Sequence, residues 1–243
     1  MKETNNIKYN LLFTIIIMLI KETDLYKLFK TSKYVYNLYI KDSNNIKSKM
    51  LYFSLLKTNI LTNVIYNVED NSINLTATIV DTLENYLATK VVTEAISIRM
   101  IDTLTRQIKY LEANNYAHYG YNIDDILVID DIIFININPN TILHIEHDRT
   151  IAFLEPFEKP YFVSSSIKQI TFLPTKVSFK EGYYSLATLV IYILLGENLE
   201  LDNTDIKTTA NQDKIDKILK PICYTKIYWF LKRCLNEKIL LLI

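Results

Sequence analysis

Apolar residues recur every three or four positions from Val92 to Leu111, at Val92, Ile96, Met100, Leu104, Ile108 and Leu111. A single stripe at this period predicts one long helix that turns one side to a core. Between 60 and 80 the period falls to two, with Val64, Tyr66 and Val68, then Asp70-Asn71, then Ile73, Leu75, Ala77 and Ile79. That alternation predicts an antiparallel hairpin with one buried face. Two short apolar runs, Ile126 to Ile129 and Ile132 to Ile137, flank Asp130-Asp131 and predict a second hairpin. Tyr183 to Leu195 is apolar on nearly every side and stops at Gly196. It should form a core helix closed by a glycine cap, the most buried element of the chain.

Shorter patterns fill in the rest. Residues 1 to 41 have a β-rich or mixed pattern that ends in Tyr34-Val-Tyr-Asn-Leu-Tyr-Ile-Lys41. Ile46, Met50, Phe53 and Leu56 predict a helix from Ile46 to Lys57, and Asp81-Thr-Leu-Glu84 reads as a capping box that starts another. Residues 199 to 213 are polar and read as a surface connection; Asp213 to Leu219 forms a short helix ended by Pro221. From Thr225 to Leu235, a helix would put Ile227, Leu231, Cys234 and Leu235 on one face. The run Leu11 to Ile20 is apolar apart from Thr14 and lies between Lys8 and Lys21. It is shorter than the ~20 residues that span a bilayer and no small-residue cleavage site follows, so a core strand or helix is expected and no membrane partner.

Composition narrows the class of protein. With 243 residues, 49% hydrophobic and 22% charged, the chain can bury a sizeable core as one domain or two closely packed lobes. Lysine plus arginine (27) balance aspartate plus glutamate (27), which speaks against nucleic acid as a partner. Three glycines, Gly120, Gly182 and Gly196, leave no material for a glycine-rich phosphate loop. The wealth of Asn, Ile, Lys and Tyr reads as codon bias of an AT-rich genome. Cys223 and Cys234 lack the spacing of a zinc site, and reduced, buried thiols fit an intracellular compartment. His144 and His147, in His144-Ile-Glu-His147-Asp148, lack a third ligand at metal-site spacing and read as solvated loop histidines.

The stretch from His118 to Asn138 concentrates the candidate chemistry. It reads His118-Tyr-Gly-Tyr-Asn-Ile-Asp-Asp-Ile-Leu-Val, then the second hairpin, then Asn138-Pro-Asn. In this order it resembles the catalytic loop and following hairpin of the protein kinase family, in which His-Arg-Asp precedes an Asn and a metal-binding Asp-Phe-Gly follows. Asp125-Ile-Leu-Val is similar to the family's Asn-Ile-Leu-Val, which puts His118-Tyr119-Gly120 over His-Arg-Asp and Asn138 over the metal-binding aspartate. Tyr184-Ser185-Leu186-Ala187 resembles the start of the central helix of the family's large lobe, with Gly182 at its aspartate position and Ser165-Ser166 at the Pro-Glu that closes the activation segment. By position the resemblance puts the nucleotide-holding lysine at Lys41; read alone, Lys41 is a solvated strand-end residue. Helix 46 to 57 offers only Ser48, Lys49 and Ser54 where the partner glutamate belongs.

The resemblance implies an α+β, bilobal protein-kinase-like fold, with a reduced β-rich N-lobe over residues 1 to 80 and a mainly helical C-lobe over 81 to 243. Val80-Asp81-Thr82-Leu83 would be the hinge. It also implies lost chemistry. Gly120 has no carboxylate to accept a hydroxyl proton, and the amide of Asn138 is a poor ligand for a hard cation, although Asp125 retains a carboxylate. The expected function is that of a pseudokinase, a protein-binding or regulatory module that needs no cofactor. It is similar to the serine/threonine kinase-like proteins of large DNA viruses, which implies a location in the cytoplasm, that of an infected host cell included. The alternative is an atypical serine/threonine kinase that uses ATP and Mg, with Asp124 or Asp125 in the role lost at Gly120. A decayed gene product that folds and does nothing is the third reading.

Overall fold

A computed structural model describes residues 17–41, 54, 64–67, 72–200 and 208–236. The helix expected at 46 to 57 lies, apart from Ser54, outside the described residues, and so does most of the run Leu11 to Ile20. The structure is mixed α/β, with a β-rich N-terminal part and the longer helices after it. No described helix is long and apolar enough to cross a membrane.

The N-terminal part is a five-stranded antiparallel sheet. Its strands are β1 (Met18–Glu22), β2 (Tyr26–Lys30), β3 (Val35–Ile40), β4 (Val64–Asn67) and β5 (Ser72–Thr76), in the order β1-β2-β3-β5-β4. Alternation puts Tyr26 and Leu28, Tyr36, Leu38 and Ile40, and Ile73 and Leu75 on one buried face. The hairpin expected between 60 and 80 pairs β4 with β5. Ile79 departs from its pattern and is exposed, because the backbone at Thr78 and Ile79 turns to donate to Asp130 Oδ1 at 2.7 and 2.9 Å.

Three short strands then build a second sheet: β6 (Val80–Thr82) beside the hairpin of β9 (Ile126–Ile129) and β10 (Ile133–Asn136). Leu127, Ile129, Ile133, Ile135 and Ile137 pack with the N-terminal sheet, whereas Ile126, Val128 and Phe134 pack into the helical core. Both faces of the hairpin are therefore covered, which explains its nearly unbroken apolar runs. Asp130 and Asp131 close it with φ of 53° and 60°, a left-handed pair that Asp tolerates better than most residues.

The helical part comprises α1 (Leu83–Thr89), α2 (Glu94–Ala113), α3 (Ser165–Lys168), α4 (Glu181–Leu195), α5 (Thr209–Leu219) and α6 (Lys226–Leu235). α1 starts one residue later than a box begun by Asp81 requires. Thr82 Oγ1 accepts from Asn85 N, and Glu84 turns away to pair with Lys21. In α2, Met100, Leu104, Ile108 and Leu111 are buried as the stripe predicts, while Val92 precedes the helix and its Thr93 cap. Gly182 through Ile191 of α4 are all buried, and Gly196 closes the helix at φ 69°. The last turn, from Tyr192, is only half-buried. α5 begins at Thr209, earlier than expected, and α6 buries Ile227, Leu231, Cys234 and Leu235. Cys223, expected to be buried, is exposed; both thiols are free.

Three short pairings frame the loop that follows α2. β7 (Tyr116–His118) pairs with β11 (Ile142–His144), β8 (Gly120–Tyr121) with β13 (Phe162–Val163), and β12 (Thr150–Phe153) with β14 (Thr175–Ser178). A separate apolar cluster, including Tyr119, Phe153, Val163 and Phe179, packs beneath them.

Candidate functional site

The site grows from the open edge of β10. An edge strand leaves backbone groups without partners, and burying them uncompensated is costly. Two polar residues on the core face of α2 supply those partners. Thr103 Oγ1 accepts from Phe134 N at 3.2 Å; Gln107 donates to Asn136 O at 2.5 Å and accepts from Asn136 N at 3.0 Å. Neither residue was singled out from the sequence. The available signal was two polar side chains on the core-facing side of an apolar stripe.

Asn136, held in this way, carries the next layer. Its Nδ2 lies 2.6 Å from His118 Nε2, and its Oδ1 accepts from Asn138 N at 3.0 Å. Thr141 Oγ1 is 3.1 Å from the same ring nitrogen and donates to Asn138 O at 2.9 Å. With the amide donating to it, Nε2 is the acceptor and the ring proton is on Nδ1. The His118 ring is 1% exposed and stacks on Tyr121 at 4.8 Å between centroids. Burial holds its pKa down at about 3, so the imidazole is neutral. His118 is thus a core hydrogen-bond anchor. Removing its ring would strand the Asn136 amide and cost about 1–3 kcal/mol for that alone.

Asp125 and Asn138, far apart along the hairpin, meet at the floor of a cleft. Asp125 is 5% exposed, fixed by Ile137 N, which donates to its carbonyl at 2.9 Å. Its Oδ2 accepts from Asn138 Nδ2 at 2.7 Å and from Asn122 Nδ2 at 2.9 Å. The carbonyl oxygens of both amides are engaged elsewhere: Asn138 Oδ1 accepts from Asn140 N, and Asn122 Oδ1 from Tyr161 N. Asn138 therefore turns its N–H toward Asp125 and offers no lone pair there. Among the described residues there is no cluster of His, Cys, Asp and Glu able to hold a metal ion.

Gly120 is filled from outside. A Cβ built there would stand 2.6 Å from Val163 Cγ1 and 2.8 Å from Pro160 Cγ, so the β8-β13 pairing occupies the space a side chain needs. Gly182 is equally confined, since a Cβ would meet His118 O at 2.1 Å. The start of α4 lies against the loop backbone, and Ser185 Oγ donates to Tyr119 O at 2.9 Å.

The cleft encloses about 940 Å³ between the β1-β2 turn, the 122–125 loop and residues 156–162. Asp24, Asp124, Asp125 and Glu158 line it, and among the described residues its lining contains no lysine or arginine. Asp124 projects into it with its carboxyl pKa raised, first by burial and then by the charge of Glu84. Lys21, whose charge opposes that rise, is bound to Glu84 at 3.0 Å. Tyr26 Oη donates to Asp124 O at 2.9 Å and ties the N-terminal sheet to the loop. Lys41 is apart from all this: it follows β3, pairs with Glu22 at 2.9 Å and does not line the cleft. His144 and His147 are exposed, as the sequence implies, but His144 ends β11 opposite Tyr116 and does not lie in a loop. No protein-family model and no curated protein matches the chain.

Proposed function

We propose that the chain is a protein-kinase-like pseudokinase, a bilobal module that acts inside the cell by binding another protein and not by phosphoryl transfer. An antiparallel sheet followed by a helical part around α4 is in keeping with that family. So is the convergence of Asp125 and Asn138, which the sequence resemblance aligns with the family's two metal ligands. The observation that carries the reading is the 2.7 Å bond from Asn138 Nδ2 to Asp125 Oδ2. An amide hydrogen stands where phosphoryl transfer needs a cation, and hard cations require oxygen donors. Two further features support it. Among the described residues the cleft has no cationic side chain in its lining to offset phosphate charge, and Val163 and Pro160 fill the space of a catalytic carboxylate at Gly120.

The competing reading, an atypical serine/threonine kinase using ATP and Mg, draws on one observation. Asp124 reaches the cleft with a raised pKa and is the carboxylate best able to take a proton there. A thermal-shift titration with ATP and magnesium or manganese separates the two. Ligand bound only by the folded chain stabilises it by about 2.7 kcal/mol at a hundredfold excess over Kd. The pseudokinase reading expects no rise in Tm. A rise of several degrees that Asp124→Ala abolishes would transfer the assignment to the atypical kinase.

A further inference from the structure

The cleft is not a neutral vacancy left by lost catalysis; its lining has a chemistry of its own. Carboxylates come from three separate elements: Asp24 from the β1-β2 turn, Asp124 from the loop, and Glu158 from the segment before β13. Asp24 and Glu158 form no ion pair among the described residues. One wall is aromatic. Tyr161, 58% exposed, packs on Phe162 at 4.8 Å between centroids and on Tyr192 at 6.3 Å, and all three rings line the cleft. We infer that the cleft is the docking groove for an extended, arginine-bearing segment of a partner protein.

Charge complementarity selects this occupant. A nucleotide would bring phosphates to a lining that, among the described residues, holds four carboxylates and no cationic side chain. A single metal ion would need converging ligands, and the described carboxylates do not converge into such a set. Carboxylates spread over three elements suit several cations carried on one chain. A planar guanidinium can bond a carboxylate with its edge while its face lies on Tyr161, a combination that lysine serves less well. The volume of about 940 Å³ exceeds what one side chain fills.

The inference rests on the pseudokinase reading for its partner, a protein, but its test is separate. Binding of a short fluorescein-labelled peptide rich in arginine is followed by anisotropy at physiological salt. Asp24→Asn combined with Glu158→Gln, both at exposed positions, should weaken it by about tenfold or more, and Tyr161→Ala should weaken it as well. Glu146→Gln combined with Asp148→Asn removes the same charge away from the cleft and should leave affinity unchanged. The inference is overturned if the peptide fails to bind, if both double variants weaken it equally, or if a matched glutamate peptide binds as well. A dimer in sedimentation that the cleft variant disperses would assign the groove to a second copy and overturn it too. Failure of peptide binding in a chain that is also blind to ATP and magnesium sinks this inference alone. A Tm rise with ATP and magnesium in a chain that binds the peptide sinks only the pseudokinase reading.

Discussion

At Asn138, replacing one carboxylate oxygen with an amide nitrogen changes what its neighbour requires. Asp125 is buried, and a buried carboxylate needs hydrogen bonds or a cation. The Nδ2 groups of Asn138 and Asn122 supply the hydrogen bonds directly, at 2.7 and 2.9 Å. The substitution Asn138→Asp would put a second carboxylate against the first, and like charges at that distance force one to take a proton or the pair to take a cation. Without divalent cations this variant should melt below wild type. Millimolar magnesium or calcium should raise its Tm by several degrees and leave wild type unmoved; a variant as indifferent to cations as wild type would show that the pair is not a latent ligand set. Asp125 and Asn138 were singled out in the sequence by the resemblance of the stretch around the hairpin to a kinase catalytic loop. That Asn138 presents nitrogen and not oxygen was not legible there, because amide orientation is set by Asn140, whose backbone N–H engages Asn138 Oδ1.

Among the elements, α4 concentrates the burial. Ten consecutive buried residues, Gly182 to Ile191, leave no side through that stretch on which water is tolerated. Leu189 is 0% exposed, and Leu189→Ala should cost ~2 to 5 kcal/mol by urea denaturation through the cavity it opens. A neutral outcome would show that the helix packs loosely and is not the core element. The element was legible because an all-apolar helix has only one place to go. Its half-buried last turn was not, since Tyr192 packs against the core at Phe162 and at the same time lines the cleft. α2 shows the opposite limit. Its stripe announced a helix, whereas Thr103 and Gln107 had no visible purpose until β10 was placed beside them.

For the whole molecule, the pH dependence of stability reports on the buried network. His118 is neutral in the fold, with a pKa of about 3, against 6.5 in an unfolded chain. Between those values the unfolded chain binds a proton that the native chain does not, so this contribution is present above pH 6.5 and is lost as pH falls toward 3. The slope reaches about 1.4 kcal/mol per pH unit. Glu112 acts with the opposite sign. Burial raises its pKa, so its contribution is present at low pH and is lost as pH rises through that raised value. Denaturation midpoints from pH 7 down to 5 should therefore fall in wild type and fall less in His118→Gln. Parallel curves would mean that the imidazole takes up its proton without disturbing Asn136 and Thr141.

Periodicity determined most of the elements, because a helix or strand with one buried side must repeat its apolar residues at 3.6 or 2 positions. It determined the hairpin at 126 to 137, the core helix α4 and the face of α6, and composition excluded a glycine-rich phosphate loop outright. What it could not determine is anything that depends on two distant segments meeting. The Asp125–Asn138 bond, the clamp of Gln107 on Asn136, the closure of Gly120 by Pro160 and Val163, and the acidic cleft are all of this kind. So is the pairing of Lys41 with Glu22, which takes its charge to the outside of the sheet. Hydrogen bonds and charges act over a few ångströms between atoms whose separation along the chain is arbitrary. Only the packing of the two sheets and the helices around one shared hairpin decides which of them come within reach.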